Sequence, residues 1–120
     1  NHNIFKRSEE NLYYELPITF ADAALGTTVE VPSIDGGRSK IKIPAGTQHG
    51  KQFRLKGKGM PVLRRSIFGD LYIRIITEVP VSLSKRQKEL LDEFKLLEKE
   101  KPNPVIKSFF EKAKKFWGSN

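Results

Sequence analysis

Few residues of this chain are of a type that could carry out catalysis or bind a metal ion. The sequence has 120 residues, two histidines and no cysteine. A general base or a metal ligand needs convergent partners, and neither His2 nor His49 has a serine, cysteine or histidine at motif spacing. Without cysteine, thiolate catalysis, disulfides and cysteine–zinc sites are excluded. The sequence therefore predicts that this stretch is not an enzyme and binds no metal or other cofactor.

Residues 46–52 (GTQHGKQ) resemble a phosphate-binding loop in outline only. One residue too few separates the two glycines, and Gln52 stands where a serine or threonine would bind magnesium. Asp35 and Asp70 each lie in a glycine-containing turn, where short carboxylates commonly accept backbone hydrogen bonds. We expect a strand-to-strand turn at residues 46–52 and no acid–base role for either aspartate.

Positive charge is the strongest chemical signal in the sequence. The segment Arg38–Arg65 holds nine cations and no acidic residue, within a formal net charge of +8. Such a stripe can attract nucleic acid, acidic peptides or an anionic membrane. Charged side chains also keep the outer faces of strands and turns in contact with water, and lysine on an exposed sheet edge prevents pairing with other strands. We favour a solvated surface, with RNA or DNA binding through Arg38–Arg65 as the alternative.

Alternating apolar and polar residues predict short β-strands through the first two-thirds of the chain. The predicted strands span residues 11–18, 27–32, 39–43, 52–55 and 71–79. A short helix over residues 20–25 is indicated by Thr19 as its N-cap and Gly26 as its stop, and a hairpin turn is indicated by residues 35–37 (DGG). The pattern predicts a mainly β fold, a small two-layer β-sandwich-like domain with a short helix, over residues 1–81.

The composition changes after this domain, and residues 82–120 predict C-terminal helices. Ser84 and Gln87 form an S-x-x-Q capping box, and apolar residues follow at helical spacing. A proline pair then breaks the chain. Asn103 is expected to cap a second helix, with Pro104 at its first position.

The second predicted helix has one continuous apolar stripe, with its lysines largely off it. A helix this short is marginal alone and must bury such a stripe against something. The candidates are a second copy of the chain, the chain's own domain and a membrane surface, of which we favour a homodimer. No apolar run approaches the ~20 residues of a membrane span, and we expect no membrane partner. The predicted dimerisation residues are Ile106, Phe109, Phe110, Ala113, Phe116 and Trp117.

Several distinctive segments follow one another along nearly the whole chain. They include residues 20–26 (FADAALG), 43–50 (IPAGTQHG), 53–60 (FRLKGKGM), 69–71 (GDL) and 83–94 (LSKRQKELLDEF). In this order they resemble the second C-terminal β-domain, and the dimerisation helix after it, of the bacterial DnaJ family of co-chaperones. The resemblance implies an ATP-independent, cytoplasmic holdase that delivers unfolded polypeptide to a DnaK-type ATPase.

Two hallmarks of that family are not found in this sequence. It has no His-Pro-Asp triplet and no Cys-x-x-Cys-x-Gly-x-Gly repeat. The resemblance therefore implies that the J-domain and the zinc module lie in a missing part of a longer protein. Contact with the DnaK-type chaperone, through the J-domain, and zinc binding are expected only there. The chain also lacks an initiator methionine, which is typical of an excised fragment.

The resemblance also implies a peptide groove, in which a client strand lies beside an edge strand. By analogy, the groove residues are Tyr14 and Leu16 on the first predicted strand and Val29 and Val31 on the second. Arg74 stands where the family has an aromatic residue, and a cation suits an apolar pocket poorly. We therefore expect the groove to be weak, filled, or suited to acidic peptides.

Overall fold

A computed structural model describes four stretches of the chain, residues 6–8, 11–32, 37–60 and 68–118. The chain divides into two compact units, residues 1–80 and 81–120. The first unit contains β1 (Lys6–Ser8), β2 (Asn11–Thr19), α1 (Phe20–Leu25), β3 (Thr27–Pro32), β4 (Arg38–Ile43), β5 (Gln52–Leu55) and β6 (Leu71–Glu78). The second contains α2 (Lys85–Glu100) and α3 (Pro104–Gly118). The predicted mainly β fold followed by C-terminal helices is confirmed.

The described strands of the first unit form two sheets. Four strands pair in the order β1-β2-β6-β5, and β3 pairs with β4 as a separate hairpin. β2 and β6 run parallel, in register from Leu12 opposite Leu71 to Thr19 opposite Glu78, and the other pairs are antiparallel. Parallel neighbours need a long crossover connection. Here the crossover contains α1, the β3–β4 hairpin and β5.

The core lies between the inner faces of the two sheets, because alternate residues of a strand point to the same side. Leu71, Ile73 and Ile75 of β6 have 0% of their surface exposed, whereas the residues between them are accessible. Burying an aliphatic side chain of this size contributes ~1.5–3 kcal/mol. The other buried core residues are Leu12, Tyr14, Ile18, Ala23, Val31, Ile41 and Ile43.

Helix α1 forms between the caps that predict it. The Thr19 hydroxyl accepts a hydrogen bond from the Asp22 amide at 3.0 Å, and Gly26 follows the last helical residue with φ +85°. A Cβ at Gly26 would lie 2.9 Å from the backbone nitrogen of Ala45. Both the positive φ and this close approach require glycine. The start of β3 is thereby held against the turn that follows β4.

The predicted strands are found with bounds that differ by at most one residue. β1, which pairs antiparallel with β2, was not predicted. Its three residues (KRS) are polar and show no apolar alternation. Most of the predicted turn at residues 35–37 lies outside the described residues, although the pairing of β3 with β4 is that of a hairpin.

Helix α2 begins with the predicted capping box, and both of its bonds are formed. The Ser84 hydroxyl accepts from the Gln87 amide at 3.1 Å, and the Gln87 side-chain oxygen accepts from the Ser84 amide at 2.8 Å. Helix α3 begins at Pro104, as predicted. Asn103 holds the predicted position before it, since its carbonyl accepts the first bond of α3, from the Lys107 amide at 2.8 Å. Its side-chain amide donates to a Glu98 carboxylate oxygen at 2.7 Å. None of the described helices is long and apolar enough to cross a membrane.

Replacing Ile73 by alanine tests the core. Ile73→Ala should lower the free energy of unfolding by about 2–5 kcal/mol, because a cavity adds to the lost transfer energy. Ile76→Ala is the matched control, since Ile76 is partly exposed on the outer face of the same strand, and it should cost less than half as much. Urea unfolding followed by circular dichroism measures both. Equal losses would contradict the inward position of Ile73.

Candidate functional site

The four apolar groove candidates meet in the core, but only two of them are appreciably accessible. Tyr14 and Val31 are buried, with 7% and 1% of their surfaces exposed. Leu16 and Val29 are partly buried and pack against the same core. Burial raises the pKa of Tyr14 to about 12, because the charged phenolate is disfavoured in apolar surroundings. We call the accessible pair, Leu16 and Val29, the apolar rim.

Strand β3, which carries Val29, also has an edge that is open with respect to the described strands. It pairs with β4 on one side, with Val29 opposite Ile41. No described strand pairs with its other side. An unpaired edge presents backbone N–H and C=O groups to an extended peptide. The apolar rim and the open edge are the two features that strand addition by a peptide uses.

Arg74 is not brought together with the other groove candidates. The sequence places it beside the groove by analogy, but it lies between Ile73 and Ile75, which both point into the core. Strand side chains alternate, so Arg74 lies on the outer face of the sheet. There its guanidinium donates to a Glu15 carboxylate oxygen at 3.1 Å, in an exposed ion pair. Arg74 therefore lies on the opposite face of the sheet from Tyr14 and Leu16, and any contact it makes with peptide would be from the outer face.

Asp70 fixes the Gly-Lys-Gly turn that follows β5. One carboxylate oxygen accepts from the Gly57 amide at 2.9 Å, and the other accepts from Arg54 Nε at 2.6 Å. The Gly57 N–H, and after it the Arg54 guanidinium, hold the pKa of Asp70 below its usual range, against the opposing effect of burial. Gly57 has φ +75°, a conformation that favours glycine. The sequence indicated a backbone bond to Asp70 but not its partners.

A second set of hydrogen bonds joins the residues just before and just after residues 61–67, which themselves lie outside the described residues. The Gly59 amide donates to the Gly69 carbonyl at 2.8 Å, and the Gly69 amide donates to the Met60 carbonyl at 2.7 Å. Immediately after them, the Asp70 amide donates to Asn11 Oδ1 at 2.8 Å. The two ends of this segment are therefore held together and joined to the start of β2.

The basic segment Arg38–Arg65 is only partly described, since its residues 61–65 lie outside the described residues. Five of its other cations line one surface depression, together with Ser39 and Leu55. They come from two places, the start of β4 and the end of β5 with the turn after it. We call this feature the basic depression, and its cations are Arg38, Lys40, Arg54, Lys56 and Lys58.

His49 has a structural contact at the end of β6. Its Nδ1 accepts a hydrogen bond from the Thr77 amide at 3.0 Å, so this nitrogen carries no proton. Residues 44–51 connect β4 to β5, in agreement with the strand-to-strand turn predicted there, and the Gly50 amide donates to the Ile75 carbonyl at 2.7 Å. Across the ranges that the structure describes, no group of three histidine, aspartate or glutamate residues is placed to hold a metal ion.

Helix α3 carries its large apolar side chains on one face. At about 100° per residue they occupy an arc of about 140° with Ala113 near its centre, and the lysines lie outside it. Phe109, Phe110 and Trp117 are 63%, 60% and 71% exposed. The rings of Phe109 and Phe110 meet edge to face, with centroids 5.1 Å apart. The residues of this apolar face are Val105, Ile106, Phe109, Phe110, Ala113, Phe116 and Trp117.

Helix α2 does not cover the apolar face of α3. No residue of either helix is fully buried. Leu96 and Leu97 of α2 are themselves 63% and 61% exposed. Two helices packed along their lengths would bury such residues between them. The second unit therefore presents apolar side chains from both helices.

Two family models match the chain. The DnaJ C terminal domain matches residues 1–80. The chaperone protein DnaJ C-terminal region matches residues 86–119. The first match contains the apolar rim and the basic depression, and the second contains α3.

Proteins with the name Chaperone protein DnaJ match almost the whole chain. The one from Pelagibacter ubique (strain HTCC1062) is 66% identical over 117 residues, 98% of this chain and 31% of that protein. Those from Rhodobacter capsulatus and Brucella abortus (strain 2308) are 54% and 52% identical over 116 residues, 97% of this chain in both cases and 30% and 31% of those proteins. The chain thus spans about a third of the length of these curated relatives.

The bonds of Asp70 predict how stability depends on pH. Because its folded-state pKa is depressed, Asp70 stabilises the fold above its unfolded-state pKa of about 3.9, and this stabilisation is lost as the pH falls through the lower, folded-state pKa. Asp70→Asn should therefore lower the urea midpoint clearly at about pH 7 and by progressively less as the pH falls through the folded-state pKa, where the wild-type carboxyl becomes protonated. The three tyrosines all lie in the first unit, so their near-ultraviolet circular dichroism measures this transition.

Asp92→Asn is the charge-matched control for this comparison. Asp92 is exposed on α2, in the other unit, and its replacement should leave the midpoint of the first unit unchanged at every pH. If the gap between the wild type and Asp70→Asn stays constant as the pH falls, the charge of Asp70 is not the stabilising feature.

Proposed function

We propose a function on the premise that this chain belongs to the family of DnaJ C-terminal domains. As part of a DnaJ-type co-chaperone, it joins two copies of the protein through α3 and binds segments of unfolded polypeptide at the apolar rim of its β unit. The observation that carries the proposal is the exposed apolar face of α3.

The energetics of α3 support a dimer. Five large side chains of the predicted dimerisation set are more than half exposed, and each contributes ~1.5–3 kcal/mol when it is fully buried. Association costs ~4–15 kcal/mol in lost freedom and ordering, so only part of this gain becomes affinity. The balance favours a dimer of micromolar affinity or tighter.

The shape of the apolar face also favours a second copy of the same helix. In a two-fold dimer one surface covers its own counterpart, so both copies bury the same stripe. Ala113 lies near the centre of the face, with larger side chains on either side. A small residue there lets the helix axes approach to about 8 Å, the short end of the usual range. The lysines outside the face remain in water.

Client binding is proposed at the apolar rim. An extended apolar segment would pair its backbone with the open edge of β3 and place side chains against Leu16 and Val29. Tyr14 and Val31 would support the rim from within the core, since both are buried. With two accessible apolar residues, the contact would be weak and easily reversed. That property suits a protein that holds and then releases unfolded chains.

For the whole protein we propose the role that its relatives' name indicates. Together with the parts outside this chain, it would hold unfolded polypeptide without ATP and deliver it to a DnaK-type ATPase in the cytoplasm. The J-domain would contact that ATPase, and zinc would be bound in the other parts. No bond-making chemistry is assigned to this region. RNA or DNA binding through Arg38–Arg65 is the alternative function, and neither family match supports it.

Charge placed on the apolar face of α3 should dissociate the dimer. Phe110→Asp should shift equilibrium sedimentation of the 120-residue chain from dimer to monomer, because an aspartate cannot be buried there without a partner. The β unit should keep its melting transition. Lys107→Asp is the matched control, since it puts the same side chain outside the apolar face, and it should leave the dimer intact.

The wild-type chain itself provides the sharper test of the dimer. At about 100 μM, well above a micromolar dissociation constant, it should sediment as a dimer. Sedimentation as a monomer at this concentration would contradict the proposal. The apolar face would then be covered by its own chain, or by lipid if anionic vesicles bind it.

Titration with an extended, uncharged, leucine-rich peptide tests the apolar rim. The backbone amide signals of Leu16 and Val29 should shift first in nuclear magnetic resonance spectra. Val29→Ser should weaken binding about fivefold, which corresponds to ~1 kcal/mol of lost apolar contact. Ile76→Ser, on the outer face of the four-stranded sheet, is the matched control and should bind as the wild type does. Shifts confined to the basic depression would count against the rim.

A further inference from the structure

The basic depression is walled by cations on two sides. Two of them belong to β4, and three belong to β5 and the turn after it. The bonds from Asp70 to Gly57 and Arg54 hold that turn in place. The second wall is therefore organised before any ligand arrives, which lowers the ordering cost of binding.

Much of the charge in the basic depression is not neutralised within the described chain. Glu30 pairs with Arg38 at 3.1 Å, and Asp70 pairs with Arg54 at 2.6 Å. Glu30 also lies opposite Lys40 in the register of the β3–β4 hairpin, but it forms its ion pair with Arg38. No carboxylate of the described residues forms an ion pair with the three lysines of the depression. Asp70 also attracts Lys56 over a longer distance. The five lining cations nevertheless outnumber the two carboxylates that pair with them, so the depression keeps a net positive charge that an incoming anion would offset.

The basic depression is also lined by β4 and β5, each of which has one edge that pairs with no described strand. In the described part of the sheets, β4 pairs only with β3, and β5 pairs only with β6. An extended peptide can pair its backbone with such an edge, and its alternate side chains then repeat at about 6.8 Å. Arg38 and Lys40 are two residues apart on β4 and repeat at the same interval. Carboxylates at alternate positions of a peptide would meet successive cations.

We propose that the basic depression binds an extended acidic segment of another polypeptide, with its acidic residues at alternate positions. This goes beyond the proposed function, because it uses neither the apolar rim nor α3. The lining favours a peptide over a nucleic acid: none of the seven residues that form it is aromatic, so bases would have no stacking platform. The open strand edges add backbone partners that a peptide can use.

Peptide binding to the 120-residue chain tests this site. The probe is a fluorescently labelled peptide of four Glu-Thr repeats, and its neutral counterpart has four Gln-Thr repeats. The neutral peptide should bind at least about tenfold more weakly. Combining Lys40→Gln, Lys56→Gln and Lys58→Gln should weaken the acidic peptide about tenfold, since each exposed ion pair is individually modest. The three lysines are exposed, so the variant should keep its melting transition.

A second triple variant controls for net charge. Lys85→Gln, Lys88→Gln and Lys95→Gln remove the same charge from exposed positions of α2 and should change binding by less than about twofold. Phe110→Asp should bind the acidic peptide as the wild type does, which separates this site from dimerisation. Equal weakening by both triple variants would overturn the proposal. So would equal affinity for the neutral peptide, or tighter binding of an eight-nucleotide oligothymidylate than of the acidic peptide.

Discussion

The parallel pairing of β2 with β6 constrains the rest of the β unit. It holds eight residue pairs in one register, and a slip by one residue would turn the fully buried side chains of β6 outward. Asp70 fixes this register at its first pair, because its amide donates to Asn11 and its carbonyl accepts from the Leu12 amide. The whole chain between β2 and β6 must therefore form a single crossover connection. That requirement places α1, the β3–β4 hairpin and β5, and with them both candidate peptide surfaces.

Features whose signals are local could be predicted from the sequence. The Thr19 cap, the capping box at Ser84 and the alternation of each strand depend on residues a few positions apart. Pairing between distant strands has no such signal, so the parallel neighbours and the polar strand β1 were not predicted. Asp70 has one feature that could be predicted and one that could not. Its turn position indicated a backbone bond, but its partner Gly57 lies thirteen residues away, and only the folded chain brings them together.

The candidate surfaces show the same division. Alternation identified the inward side chains of β2 and β3, but it could not separate buried residues from the rim, because burial depends on the facing sheet. Arg74 was placed by analogy, and the alternation of β6 puts its side chain on the outer face of the sheet. The apolar face of α3 was predictable because helical periodicity defines a face by itself. What covers that face depends on a second surface, and periodicity along one helix carries no information about it.

The hydrogen bonds on either side of residues 61–67 bear on which substitutions this protein can tolerate. Hydrogen bonds among Gly59, Met60 and Gly69 join the chain before and after this segment, and the carboxylate of Asp70 secures the preceding turn. Each bond among these three residues is donated by a backbone amide, so Gly59→Pro or Gly69→Pro would remove one of them, whereas Met60→Ala would keep both.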